Sequence, residues 1–547
     1  VNPHRLHEQP VARPVTASPV AEPGRAELVA RLKATPEAEL VVIGGGATGL
    51  GIAVDAAARG TSVVLFEADD FAKGTSSRAT KLVHGGVRYL AQGRVRLVRE
   101  ALRERTILLA NAPHLVRPLP FVIPARGLRG RVWDRAFYGT GLALYDALAG
   151  GAALGPTRWL SAAEARTALP GVRTAGLVGG LRYWDAQFDD ARLAVALART
   201  AIRAGGIALN HFPVTGIVHD PSGRVAGVEA TDRETGTRHR IRAGCVVNAT
   251  GVWVDDVRRL DDASASGMVA PSQGVHLVVD RSFLPAEAAL LVPRTADGRV
   301  LFAVPWEGSV ILGTTDTPRA DRPLEPRPFA AEVDFILAEA ARHLERPPTR
   351  ADVRSAWAGL RPLVKPAAGV GHTRGISREH AIIVASSGLV TVTGGKWTTY
   401  RAMAEDVLAR CSAAGLIASR PAGATRDLRL VGAPLAAAAA DPMTAVPGLH
   451  LYGTEAPAVA ALPGVDRELL PGLTEAMVRF AVRHEYARTV EDVLARRSRW
   501  LFLDAAAAAS VADDVAAVLA EELGPAFDAA ASAAAFRQLA EGYCLVK

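Results

Sequence analysis

Three glycines, Gly44-x-Gly46-x-x-Gly49, follow the apolar run ELVVI (39–43) and open a helix-forming stretch. Gly44 permits a tight turn, Gly46 lets a pyrophosphate approach the backbone, and Gly49 lets helix and strand pack closely. Gly45 and Thr48 complete the turn. Its helix N-terminus offers free N–H groups and the positive end of a dipole to phosphate. Glu67, 23 residues beyond Gly44, is placed to accept hydrogen bonds from ribose hydroxyls. A second group follows in GTSSRATKLVHGGVRYL (74–90): Ser76, Ser77, Lys81, His84, Gly85 and Arg88. Singly, its hydroxyls read as helix caps and its cations as a solvated face. Together, just downstream of a nucleotide-binding turn, they suit the edge of an aromatic ring system and a charged substrate. A third group, TVTGGKWTTYR (391–401), supplies Gly395, Lys396, Thr398 and Thr399. A cation is unfavourable at a helix N-terminus, so Lys396 reads as functional. A fourth turn, CVVNATG (245–251), ends in Gly251.

These groups need elements to hold them. Residues 39–68 read as strand, glycine turn, helix and strand, a βαβ unit with its helix from about Thr48 to Ala58 and its second strand at Val63–Phe66. The late turn at 394–395 lies between a strand and a helix over 396–408. A cofactor long enough to need a second contact far along the chain favours FAD over NAD. Helices are expected at 92–111 and 191–204, strands and hairpins at 207–219 and 224–248, and antiparallel strands at 275–315. Residues 430–445 read as an Ala-rich connector, and 451–547 as helical throughout.

The chain has 547 residues, 49% of them apolar and 22% charged, which excludes wholesale disorder. Its net charge is +7, but six Lys stand against 57 Arg, spread along the chain, so the charge reads as compositional bias. No nucleic-acid patch is expected; the Arg-rich piece 126–138 is the one candidate. The three cysteines are far apart in sequence, with no C-x-x-C, and no metal ligand set is read. Residues 1–24 hold five Pro and no apolar core, so they read as a disordered tail and not as a secretory signal. No uncharged apolar run of about 18 residues is present to span a membrane. The nearest stretch, 136–154, carries Asp146 and suits peripheral contact at most.

IGGGATGLGIAVDAAARG (43–60), SSRATKLVHGGVRYL (76–90), FDDARL (188–193), NATGVWVDD (248–256), GTTDTP (313–318), AGLRPL (358–363) and GGKWTTYRAMA (394–404) occur in this order. Together they closely resemble the FAD-dependent, quinone-linked glycerol-3-phosphate dehydrogenases, and 481–504 resembles that family's C-terminal domain. Two departures are visible, Leu50 after the third glycine and Gln273 where the family often has Lys.

The resemblance implies an α/β fold: an FAD-binding Rossmann-like domain, an antiparallel-sheet substrate domain and an all-helical C-terminal domain. The expected organisation is a tail at 1–36, an oxidoreductase region at 37–430 and a helical domain at 431–547. Within 37–430, segments 37–111, 181–256 and 351–430 are expected to bind FAD, and 112–180 and 257–350 to form the substrate domain. The implied reaction oxidises sn-glycerol 3-phosphate to dihydroxyacetone phosphate, with electrons passing through FAD to a membrane quinone. Arg88, Arg361 and Arg378 would bind the phosphate, because guanidinium groups match it bidentately. His84 suits proton exchange near neutrality, and Arg361 falls near the reacting carbon, so the proton acceptor stays open between them. Lys396 would stabilise negative charge on the reduced ring. The expected location is cytoplasmic, peripherally on the inner face of the cell membrane and touching anionic lipid; a homodimer is left open. The competing readings are a glycerol-3-phosphate oxidase, a flavin amine or amino-acid oxidase and, from another class, a tRNA-binding flavoprotein.

Overall fold

The structure is a computed structural model that describes residues 22–86, 93–127, 135–150, 153–365, 380–435 and 441–545. Two large sheets organise it. In the first, strands run in the order 381–384, 390–393, 238–248, 37–43, 63–66 and 207–209, with a hairpin at 214–219 and 225–231 attached to 238–248. Its centre is parallel: Glu37–Ile43 pairs with Arg238–Asn248 on one side and Val63–Phe66 on the other. Leu40 to Ile43 and Val63 to Phe66 are all buried, as expected where helices cover both faces of a parallel sheet. The helices Ala47–Ala58 and Tyr400–Ala413 meet closely, since a Cβ at Gly51 would lie 2.8 Å from the Tyr400 ring.

The second sheet is mostly antiparallel. Its order is 317–318, 269–280, 309–313, 301–306, 289–292, 116–126, 177–188 and 82–83. Strand Val353–Val364 pairs along the length of 269–280, with Ser272 opposite Arg361. Strands 177–188 and 353–364 therefore belong to this sheet, although the sequence grouped 181–256 and 351–430 with the nucleotide-binding segments.

Two further expectations change. The tail does not reach residue 36: Arg25–Ala34 is a helix that buries Leu28 and Leu32, and Arg25 pairs with Asp232 at 2.8 Å. Long-range ion pairs that no local pattern announces hold it down. Residues 451–547 are not purely helical, since Glu468–Leu470 and Leu473–Thr474 form a small antiparallel hairpin. Around it stand the helices Glu475–His484, Trp500–Leu503, Ala505–Ser510, Ala512–Leu523 and Ala529–Glu541. Ala505, Ala508 and Ala512 are fully buried, and their small size lets these helices approach.

This C-terminal unit grips the rest of the molecule through arginines. Residues Asp492–Arg497 form a wide helical turn closed by Ser498 N–H donating to Val493 O at 2.7 Å. Arg496 and Arg497 pair with Asp70. Arg499 donates to Ser77 O at 2.7 Å and lies 3.1 Å from Asp190. Farther on, Ala356 N–H donates to Tyr543 O at 2.8 Å, and Ser355 Oγ donates to Leu501 O at 2.9 Å. Tyr543 Oη donates to Glu325 at 2.9 Å, and Arg78 and Lys73 hold that partly buried carboxyl down to about 2 against the upward push of desolvation.

Candidate active site

The glycine turn has the form the spacing predicts. Gly44 sits at φ +107° and its N–H donates to Phe66 O at 2.8 Å. A Cβ at Gly49 would lie 1.9 Å from Gly44 O, so only glycine packs there. Gly46 caps the helix Ala47–Ala58 with no side-chain hydrogen bond. A Cβ on Gly46 would meet only Ser76 Oγ, at 3.0 Å, and residues 46 to 48 stay partly exposed. Apart from the Ser76 hydroxyl no side chain crowds this N-terminus, which fits the pyrophosphate of a dinucleotide. Glu67 accepts from Gly45 N–H at 2.6 Å and Asp69 N–H at 2.9 Å. Burial pushes its carboxyl up to about 7 against those two donors.

The loop after the second strand rests on this turn. Ser76 Oγ accepts from Ala47 N–H at 2.9 Å, and Ser76 O accepts from Trp397 Nε1 at 2.8 Å. His84 N–H donates to Thr398 Oγ1 at 3.3 Å. The loop 75–85 and the late turn 394–399 are thereby joined. Gly395 lies at φ +76°, and a Cβ on it would be 2.3 Å from Met403 Sδ. Thr399 Oγ1 donates to Lys396 O at 3.4 Å, and both threonines are buried. Gly251, at φ +61°, accepts from Thr393 Oγ1 at 3.1 Å, which closes the two polar turns together.

The strand carrying Arg361 meets the same loop, because Thr75 Oγ1 donates to Leu360 O at 2.6 Å. Arg361 donates to Thr314 Oγ1 and Asp316 Oδ1, each at 3.2 Å. Gly274 makes room for it, since a Cβ there would lie 2.3 Å from the guanidinium. Ser272 Oγ donates to the same Asp316 oxygen. GTTDTP (313–318) was visible in the sequence, but no role followed from it; the role appears once Ser272 and Arg361 face each other. His276 is a second omission. Its Nε2 lies 2.9 Å from Thr80 Oγ1, and its ring stacks on Trp357 at 4.2 Å. Burial, with the charges of Arg361 and Lys81 adding, holds this imidazole well below its ordinary range.

Lys81 is a correction. The sequence placed it at the cofactor, but the side chain is fully buried and its ammonium donates to Asp190 at 2.7 and 2.8 Å and to Ser77 O at 2.8 Å. Burial, then Arg499, pull it down to about 7. It holds the loop from behind. Ser77 is likewise turned inward, with its carbonyl taken by Lys81 and Arg499. Gln273 lies on the strand face opposite Arg361's partner Ser272: it donates to Glu332 at 2.7 Å and accepts from Arg319. Arg88 and Arg378 lie outside the described residues, as do Arg129 and Arg131 of the basic stretch. Arg126 is committed to the carbonyls of Ala175 and Arg173, each at 2.6 Å.

Residues 39–401 match the family described as FAD dependent oxidoreductase, and 423–529 match the C-terminal domain of alpha-glycerophosphate oxidase. The mitochondrial glycerol-3-phosphate dehydrogenase of Homo sapiens is 38% identical over 549 residues, covering 94% of this chain and 74% of its own. That of Bos taurus is 39% identical over 551 residues, with the same coverage. A glycerol-3-phosphate dehydrogenase from Bacillus halodurans, solved with FAD, superposes with a TM-score of 0.75 at 30% identity, over 96% of this chain and 99% of its own.

Proposed function

We propose a quinone-linked role at a membrane surface for this chain, which belongs to the FAD-dependent oxidoreductase family and, within it, to the glycerol-3-phosphate dehydrogenases. It is an FAD-dependent enzyme that oxidises sn-glycerol 3-phosphate to dihydroxyacetone phosphate. FAD, when bound, supplies the two-electron acceptor for the hydride leaving C2. The residues do the rest. Helix Ala47–Ala58 receives the pyrophosphate at its N-terminal end, and Glu67 receives the ribose. His84 takes the C2 hydroxyl proton, as an imidazole suits that exchange near neutral pH. Arg361 stays protonated, so its part is electrostatic: with Arg88 and Arg378 it holds the phosphate dianion. Lys396 sets a cation where negative charge develops on reduction.

One observation carries this reading. Hydrogen bonds from Trp397 to Ser76, from His84 to Thr398 and from Thr75 to Leu360 join the late turn and the Arg361 strand to the loop 75–85, which the bond from Ala47 to Ser76 ties to the nucleotide turn. Quinone is the proposed acceptor and a peripheral membrane site the proposed location. Among the described residues no helix is long and apolar enough to cross a membrane. Helix Arg135–Ala149 buries Leu142 and Tyr145 and leaves Leu144 47% exposed. Its inner face is thus core, and only the outer face is offered to lipid.

The test is an anaerobic titration. Glycerol 3-phosphate should bleach the bound flavin, and a soluble quinone should restore the colour faster than air does. Absence of bleaching removes the substrate assignment, and faster recovery in air removes the quinone. The holoenzyme should also sediment with vesicles of anionic phospholipid at low salt and be released at high salt, because screening shortens the attraction to about 8 Å at physiological ionic strength.

A further inference from the structure

Tyr145, Asp185 and Arg105 are almost wholly buried, at 1%, 2% and 1% exposure. They meet the active-site loop one residue beyond His84. Gly85 N–H donates to Tyr145 Oη at 2.8 Å and to Asp185 Oδ1 at 3.3 Å. The same hydroxyl donates to Asp185 Oδ2 at 2.8 Å, and Arg105 donates to Oδ1 at 2.8 Å. A Cβ on Gly85 would lie 2.4 Å from Tyr145 Oη, so glycine is what lets the hydroxyl reach the backbone. Burial, with the Asp185 charge adding, pushes the Tyr145 hydroxyl well above its ordinary range, so it stays a donor.

Packing alone does not account for this network. Tyr145 lies edge-on to Tyr183 at 6.4 Å within an apolar cluster, where phenylalanine would serve as well. Burying a carboxylate and a guanidinium there costs desolvation that a pair of apolar side chains would not. What the polar groups add is a fixed main chain at residue 85. The Thr398 hydroxyl fixes the main chain at residue 84 from the other side. The imidazole between them sits on a backbone held at two successive peptides by two different elements.

We propose that Tyr145, oriented by Asp185 and Arg105, is a positioning residue that sets His84 against the C2 hydroxyl of the substrate. The inference rests on the reading of His84 as the proton acceptor.

Tyr145→Phe keeps the ring and removes the hydroxyl. Flavin content and melting temperature report its folding. Flavin reduction at saturating glycerol 3-phosphate should slow about ten- to a hundredfold, the scale of a misplaced catalytic group. The half-saturating concentration should move less than about threefold, since substrate binding is untouched. The acid limb of the rate–pH profile should shift. His84→Gln should abolish that limb, and adding Tyr145→Phe to it should slow the reaction no further. An unchanged rate and limb in Tyr145→Phe, or multiplicative slowing in the double variant, overturns the positioning role while His84 stands. An intact limb in His84→Gln overturns the His84 reading, and the positioning role falls with it. If Tyr145→Phe loses flavin, Arg105→Lys, which keeps the charge on Asp185, is judged by the same limb and the same double variant.

Discussion

At the scale of single residues, glycines of one motif divide their work. Gly49 has Gly44 O where its Cβ would be, whereas Gly46 faces only a serine hydroxyl. Gly49→Ala should therefore lower stability by about 1–3 kcal/mol, the usual cost of overpacking, with or without FAD. Gly46→Val should fold and purify colourless. Denaturant midpoints and flavin absorbance read the two effects separately; a fully yellow Gly46→Val protein, or a Gly49→Ala midpoint equal to the parent, contradicts the division. The spacing alone told these glycines apart, because each role is local. The role of Lys81 was not legible. Its partner Asp190 is 109 residues away, and a cation in a glycine-rich loop looks like a ligand's partner until that carboxylate appears beside it. Arg361 was legible as a candidate, but its holders Thr314 and Asp316 came from a motif whose purpose only strand pairing explains.

At the scale of elements, regular periodicity carried well. The βαβ unit and the helices Val95–Asn111 and Asp190–Arg203 lie close to where the pattern of apolar residues puts them. What the pattern missed depends on distant charge: the helix Arg25–Ala34, and the burial of the basic run ARRSR (495–499) at the interface. Arg499 has no exposed surface to speak of and stands among Asp189 and Asp190. Arg499→Gln strips a cation from that buried set, so a loss of about 3–5 kcal/mol is expected, as when one partner of a buried pair is removed. Urea unfolding of the holoenzyme checks it. A midpoint within error of the parent would mean that Arg499 adds nothing net to the hold of the C-terminal unit.

At the scale of the whole molecule, acid should open this fold through a histidine remote from the chemistry. His114 is buried in the turn after Val95–Asn111, and burial, then Arg192 and Arg117, hold its imidazole down to about 3 from 6.5. Between those values the unfolded chain binds a proton that the folded chain refuses. Stability is therefore full above pH 6.5 and falls as pH drops towards 3, by about 1.4 kcal/mol per pH unit for one proton. His114→Gln should flatten that part of the stability profile, whatever its effect at pH 7; an unaltered slope would assign the acid sensitivity to other groups. The hydrogen bond from Ala356 to Tyr543 carries a different consequence, one of time. A ribosome makes the glycine turn first and Tyr543 some five hundred residues later. The strand that presents Arg361 thus waits for one of its braces until synthesis is nearly past it, so a nascent chain possesses its nucleotide cradle long before it possesses a finished substrate strand.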